Sequence, residues 1–186
     1  MYKDASVTRY LDDLAAKLPA PGGGSASAMA AALGTGLLSM VVNFTIGKPK
    51  YAAYEQEMAA ARADSERLRA AFLRLVDEDV AAYSSGDLEQ SLRVPLEICR
   101  LCREAAALCP LLCMKGNVNL ASDVAVAIGL IEAAFAGAYW NVDINLKMLK
   151  DDGRAGTVRR EMDGYRDAIR SIRQDTEVSI GKIVRG

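Results

Sequence analysis

The feature that most constrains this chain is an uncharged run, Ser25 to Ile46, without a single Asp, Glu, Lys or Arg. It is long enough to cross a bilayer, which takes about 20 residues. However, Gly, Ser, Thr and Asn dilute its apolar residues, and Ala28, Ala32 and Gly36 form a ridge of small side chains that lets another helix approach closely. We therefore interpret the run as a buried central helix of a soluble bundle, and we expect no membrane association.

Apolar residues recur at helical spacing through the rest of the chain, without strand-like alternation or tandem repeats. Ser25 is placed to cap the uncharged run, and Ser122 or Asp123 to cap the helix that reaches Leu149. Further helices are predicted before Pro19, over 51–83, from 95 towards 115 with a bend at Pro110, and through 158–180. The sequence thus predicts one all-α domain over 1–186, a bundle of about six helices with 25–46 and 123–149 at its centre.

Composition excludes several classes of function. Lys+Arg 23 against Asp+Glu 24 leaves no basic excess for a nucleic-acid binder. The absence of histidine removes Ser-His and Cys-His nucleophile pairs and every zinc site that contains histidine. Acid–base chemistry must therefore fall to carboxylates, Lys, Tyr, Cys or water. The N-terminus shows no secretory signal, so we expect a cytoplasmic protein.

The four cysteines, Cys99, Cys102, Cys109 and Cys113, lie on one face of a predicted helix. On an unbroken helix Cys102 and Cys109 would be about 10 Å apart, too far for one tetrahedral zinc ion unless the helix breaks at Pro110. We interpret them as buried free thiols and predict no metal site.

Two loops could attract an anion. Gly22, Gly23, Gly24 and Ser25 open a helix, where free N–H groups and the helix dipole favour a carboxylate or phosphate. A sharp corner between two packed helices explains the same residues. Lys48 and Lys50 flank Pro49 at the other end of that helix, and lysines in loops are commonly no more than solvated.

Two carboxylates stand out by their positions. Asp79 falls on the apolar stripe of the helix over 51–83, and Asp123 begins a nearly uncharged helix. A carboxylate that is removed from water has a raised pKa unless it is paired, so it can exchange a proton near neutral pH. A buried ion pair for Asp79 and a plain N-cap for Asp123 are the structural alternatives.

Five motifs in order give the sequence a family resemblance. They are Pro21–Ser25, Gly47–Tyr51, Asp77–Asp79 with Ala82 and Tyr83, Gly116–Asn119 with Ser122 and Asp123, and Gly137–Val142 with Asn145 and Leu146. Together they resemble the formimidoyltetrahydrofolate cyclodeaminase / methenyltetrahydrofolate cyclohydrolase family over essentially the whole chain. The resemblance implies an all-helical homodimer with a folate site formed by contributions from both subunits.

The resemblance also implies roles for single residues. The family's acid–base aspartate corresponds to Asp123, and Asp79 would be a second carboxylate that orients the substrate or adjusts its pKa. Substrate-binding roles then follow for Gly22, Gly23, Gly24, Ser25, Lys48, Lys50, Asn117, Asn141 and Asn145. The implied reaction is cyclodeamination of 5-formimidoyltetrahydrofolate, hydrolysis of 5,10-methenyltetrahydrofolate, or both, with no cofactor beyond the tetrahydrofolate substrate. A non-catalytic folate-binding or scaffold protein and a membrane-interacting bundle are the rival hypotheses.

Overall fold

In a computed structural model the chain folds into seven α-helices, and the structure describes residues 1–185. The helices are α1 (Val7–Ala15), α2 (Gly23–Asn43), α3 (Glu55–Ser85), α4 (Leu88–Ala106), α5 (Cys109–Lys115), α6 (Ala121–Leu149) and α7 (Asp152–Arg185). Short 3-10 helices cover Tyr2–Asp4, Pro49–Tyr54 and Val118–Leu120. No strand occurs within residues 1–185, so the predicted all-α fold is confirmed.

The helix α2 lies at the centre, antiparallel to both α3 and α6. Its start lies beside the end of α3, and Ser39 donates to Ser65 Oγ at 3.0 Å nearer the start of α3. On the other side, a Cβ atom on Gly34 would lie 2.9 Å from Ile131 Cγ1 and 3.0 Å from the Ala127 carbonyl oxygen. Glycine at this position therefore lets α2 and α6 pack closely. It is not part of the predicted ridge of Ala28, Ala32 and Gly36, where a Cβ atom on Gly36 would instead lie 3.8 Å from Arg69 Cδ of α3.

The two apolar helices differ in how much of their surface the chain itself covers. By length and composition, Gly23–Asn43 and Val118–Leu149 could each cross a membrane. In the folded chain, 61% of the most apolar stretch of the first helix is buried, against only 39% of that of the second. Because α2 is mostly enclosed, it is a core helix as predicted, whereas α6 packs one face inward and leaves another apolar face open.

The apolar stripes predicted for the long helices are confirmed. The stripe of α3 buries six residues in a row of helical spacing: Met58, Ala61, Ser65, Leu68, Phe72 and Leu75. Asp79 continues this stripe and is half-buried, so the anomaly seen in the sequence is real. The inner face of α7 buries Met162, Ile169, Thr176 and Ile180, also as predicted.

Several helix boundaries differ from the predictions. Asp87 caps α4 by accepting from the N–H groups of Glu89 and Gln90, so Pro95 lies inside the helix instead of in its first turn. The helix predicted to continue to Lys115 is broken at Ala107 and Leu108, and Pro110 lies in the first turn of the separate α5, where its missing N–H costs nothing.

Candidate active site

The glycine-rich turn opens α2, but the group bound to its backbone N–H is the carboxylate of Asp79 and not an external anion. The helix begins at Gly23 after the N-cap Gly22, and no side chain of the turn caps it. Asp79 reaches across from α3, and its Oδ2 accepts the Ser25 N–H at 2.8 Å. The prediction that Ser25 caps α2 was therefore wrong: Ser25 lies buried in the first turn and receives the cap.

The close approach of Asp79 explains why Gly24 is glycine. A Cβ atom at Gly24 would lie 2.1 Å from Asp79 Oδ1 and 2.6 Å from its Cγ, well inside van der Waals contact. At Gly23 the nearest atom would be Asn141 Nδ2 at 3.4 Å, an ordinary contact. The turn thus combines a sharp corner with a position where only a hydrogen atom leaves room for a carboxylate.

The surroundings of Asp79 make its carboxyl easier to protonate than an exposed aspartate. Burial raises the pKa of this carboxyl above its ordinary value of 3.8, and the hydrogen bond from the Ser25 N–H opposes that rise without cancelling it. No Lys or Arg forms a salt bridge with Asp79 in residues 1–185, so the buried ion pair that the sequence left open is not formed there. Asp79 is therefore suited to holding and releasing a proton closer to neutral pH than an exposed aspartate.

Asp79 lies in a cleft of about 390 Å³ between the ends of α2, α3 and α6. Two predicted ligand-binding amides face the same cleft: Asn141, whose Nδ2 donates to the Gly137 carbonyl at 2.9 Å, and Asn145, whose Nδ2 donates to the Ser91 carbonyl at 2.7 Å. These bonds fix both side chains and leave each Oδ1 as an acceptor for a ligand. Apolar walls come from Pro19, Ala20, Tyr83, Ile144 and Met148.

A second group of predicted site residues gathers at the opposite end of α2. Asn117 is 5% exposed, and its backbone N–H donates to Thr45 Oγ1 at 2.9 Å. Its Nδ2 donates to the Phe44 carbonyl, and its Oδ1 accepts the Asn119 N–H and the hydroxyl of buried Tyr51. These bonds use most of the polar groups of Asn117, so the geometry favours a role in joining two loops over the ligand contact that we predicted.

The other predicted site residues at this end of α2 are more exposed to solvent. Lys48 and Lys50 are exposed, and their Nζ atoms lie 5.9 Å from the Phe44 ring centroid and 5.5 Å from that of Tyr51. Asp123 is half-buried in the first turn of α6. The N-cap of α6 is Leu120, so the predicted capping role of Ser122 or Asp123 was wrong, because a 3-10 turn leads directly into the helix.

Within one chain these two groups form separate sites. Asp79 lies beside Gly24 at the start of α2, whereas the start of α6 packs near the other end of α2. These two points are roughly 25 Å apart along α2, at about 1.5 Å per residue. Gly23 packs against Asn141 and Gly34 against Ile131, so the pairing along α6 places Asp123 near the far end of α2. A single subunit therefore does not bring Asp79 and Asp123 onto one small molecule.

The cysteines do not form a metal centre. All four thiols are free, and no cluster of three or more potential ligands is present within the described residues. Burial raises the pKa of the Cys99 thiol to about 12, and burial also raises the pKa values of Cys102, Cys109 and Cys113. Thiols in this state are poor nucleophiles and pack as small apolar groups.

Two tyrosines near the sites were missed by the sequence reasoning. Tyr10 is 4% exposed and places its hydroxyl 3.1 Å from Ser25 Oγ, directly behind Asp79. Tyr51 is also buried, and its hydroxyl accepts the Val118 N–H at 3.1 Å. A tyrosine within an apolar stripe could have indicated such a position, because its buried hydroxyl needs a polar partner.

The fold and the cleft define a class of protein: an all-helical chain with a half-buried carboxylate and two hydrogen-bonded amides in one cleft, and without histidine. A sequence profile of the formiminotransferase-cyclodeaminase family matches residues 6–86 and 85–164. The chain belongs to this family, and the resemblance seen in the motifs is confirmed.

Individual relatives agree with this assignment. The chain is 33% identical to the methenyltetrahydrofolate cyclohydrolase of Methylorubrum extorquens over 88% of its own length and 90% of that protein. It is 30% identical to the formimidoyltransferase-cyclodeaminase of Rattus norvegicus over 80% of its length, but spans only 32% of that longer protein. The crystal structure of formiminotetrahydrofolate cyclodeaminase from Thermotoga maritima superposes with a TM-score of 0.84 at 27% identity, covering 100% of this chain and 98% of that one.

Proposed function

We propose that this protein is a folate one-carbon enzyme that forms or opens the methenyl bridge of tetrahydrofolate. It acts as a cyclodeaminase, a cyclohydrolase, or both, and uses no cofactor beyond its tetrahydrofolate substrate. The observation that carries the proposal is the desolvated Asp79 carboxyl in a cleft with Asn141 and Asn145. The names of relatives that match most of the chain support the substrate class.

The proposed chemistry needs little more than positioned proton transfer. In cyclodeamination the N-10 amine attacks the formimidoyl carbon, a C–N bond forms, and ammonia leaves after its nitrogen has been protonated. In cyclohydrolysis, water adds to the methenyl carbon, and the C–N5 bond breaks as N-5 takes up a proton. A carboxylate whose pKa is raised by burial can accept the proton from the attacking N-10 or from the attacking water, and then deliver it to the departing nitrogen. The amide oxygens of Asn141 and Asn145 would bind N–H groups of the pterin.

The complete site requires a second subunit. An apolar surface, which we call the α2–α6 face, runs between the two groups of site residues. Its exposed members are Leu33, Phe44, Val126, Ile144 and Met148, each more than half exposed. A second copy related by a two-fold axis and packed antiparallel on this face would bring the Asp123 end of one chain beside the Asp79 end of the other. Asp123, Lys48 and Lys50 of the partner would then complete the cleft that holds Asp79, with the lysines facing the anionic tail of folate.

The first experiment offers both substrates to the purified protein. Turnover of 5-formimidoyltetrahydrofolate and of 5,10-methenyltetrahydrofolate is followed by the appearance or loss of the methenyl absorbance. Turnover of either one at rates typical of enzymes supports the proposal and identifies the reaction. Saturable binding of both folates without turnover would instead support the rival hypothesis, a folate-binding or scaffold protein.

A complementation experiment tests the shared site. Asp79→Asn and Asp123→Asn should each reduce turnover by about 10²–10⁴-fold, the usual contribution of a positioned acid–base group. If one site uses Asp79 from one chain and Asp123 from the other, mixed dimers retain one native site. Unfolding and refolding an equal mixture should then restore roughly a quarter of wild-type activity, since about half of the dimers are mixed. A mixture as inactive as its components would refute the shared site.

A further inference from the structure

Behind Asp79 lies a pair of hydroxyl groups that the proposed reaction does not use. Ser25 is fully buried, and while its N–H donates to Asp79 Oδ2 at 2.8 Å, its Oγ lies 3.1 Å from the hydroxyl of Tyr10. Tyr10 is itself 4% exposed, and it projects from α1 against the start of α2. The side chain of Ser25 is thus held by Tyr10, while its backbone binds Asp79.

This arrangement limits the number of donors on the carboxylate. Within residues 1–185 Asp79 accepts a single hydrogen bond, from the Ser25 backbone. A serine whose N–H already binds a carboxylate can bring its hydroxyl to the same oxygen atoms by rotating χ1. A second donor of this kind would stabilise the charged form and lower the pKa of Asp79. The Tyr10 hydroxyl competes for the Ser25 hydroxyl and so keeps it away.

Resting on the proposed function, we propose that Tyr10 is a positioning residue for Asp79. By engaging the Ser25 hydroxyl, it leaves the half-buried carboxyl with one hydrogen-bond donor from the chain, the state in which it can exchange a proton with substrate. Tyr10 touches no part of the cleft itself and acts only through Ser25.

Other charged groups around Asp79 are already engaged. On α3, Asp77 accepts the backbone N–H of Tyr2 at 2.6 Å, and Glu78 pairs with Arg74 and Arg93. The residues that line the cleft from α2, α4 and α6 carry no charge, and Tyr83 is its other titratable group. From α1, Tyr10 faces Ser25. Burial raises the pKa of Tyr10 above its ordinary value, the hydrogen bond with Ser25 opposes this rise and the Asp79 charge adds to it, so this hydroxyl stays protonated.

The test is a direct titration of Asp79 by ¹³C NMR of the carboxyl carbon, with its signal assigned by its loss in Asp79→Asn. In Tyr10→Phe the Ser25 hydroxyl is released, and the midpoint should fall by about one pKa unit. The double variant Tyr10→Phe with Ser25→Ala removes that donor and should return the midpoint to the wild-type value. Tyr2→Phe is the matched control, because it removes a hydroxyl from the neighbouring ring that bonds Asp13, 3.0 Å away, and not Ser25.

An unmoved midpoint in Tyr10→Phe, or a shift that persists in the double variant, would overturn the proposal. Should Tyr10→Phe be unstable, the same series is titrated in sucrose, which favours compact states and does not itself titrate in this pH range. The pH–rate profile provides a second readout, because its limb due to Asp79 should move together with the NMR midpoint. Absence of turnover in the wild type would refute the proposed function, while the titration would still decide the role of Tyr10.

Discussion

The replacement Gly24→Ala gives the sharpest test of the cleft at Asp79. The added methyl carbon would lie 2.1 Å from Oδ1, 2.6 Å from Cγ and 2.9 Å from Oδ2 of Asp79. Carbon and oxygen atoms that are not bonded need more than 3 Å, so the carboxylate must move by about 1 Å or more. That movement breaks its hydrogen bond with the Ser25 N–H.

The energetic effects of this change oppose one another, and their sizes decide the result. Alanine improves helix propensity by about 1 kcal/mol. The lost hydrogen bond to a charged acceptor costs about 1.5–3 kcal/mol, and crowding a packed site typically costs a further 1–3 kcal/mol. The losses exceed the gain, so we expect the free energy of unfolding to fall by about 1.5–5 kcal/mol. A displacement of about 1 Å at a reacting group should reduce turnover by about 100-fold.

The neighbouring replacement Gly23→Ala serves as the control. Its methyl group would meet Asn141 Nδ2 at 3.4 Å, so it adds helix propensity without displacing Asp79. We expect equal or slightly higher stability than wild type, and a much smaller loss of turnover than in Gly24→Ala, because the carboxylate stays in place. Urea unfolding and the folate assays, run on both variants, make the comparison. If Gly24→Ala matched Gly23→Ala in turnover and stability, the Asp79 carboxylate would not lie against Gly24.

Three further predictions concern the wider molecule. Because burial raises the pKa of Asp79 in the folded state, the protonated carboxyl contributes its full stability below about pH 4, and this stability is lost as the pH rises through the pKa of the folded state. Asp79→Asn should therefore melt at a higher temperature than wild type at about pH 8 but not near pH 4. If the proposed dimer forms through the α2–α6 face, Leu33→Asp should give monomers in light scattering, since it removes about 1.5–3 kcal/mol of apolar burial per subunit, whereas Val178→Asp on α7, equally exposed, should not. With their pKa values raised by burial, the thiols should resist iodoacetamide at about pH 8, and only half-buried Cys113 should react slowly; rapid labelling of Cys99 in the native protein would contradict its burial.

The sequence by itself determined the helical architecture, because helix formation and burial depend on residues three or four apart. The uncharged run predicted the core helix α2, and the stripe along α3 correctly placed six buried residues. The same periodicity exposed Asp79 as an acidic residue at an apolar position. The ordered motifs of the sequence resemble one family, and the profile match over residues 6–86 and 85–164 confirms that resemblance.

Only the tertiary structure decided what those residues do together. The carboxylate that caps α2 comes from α3, 54 positions away in the sequence, so no local pattern reveals that Asp79 replaces the expected serine cap. The same limit applies to Asn117, which looked free to bind a ligand until the fold placed Thr45, Phe44 and Tyr51 around it. The antiparallel packing of α2 and α6 separates Asp79 from Asp123, because side chains at opposite ends of two long helices cannot meet within one chain.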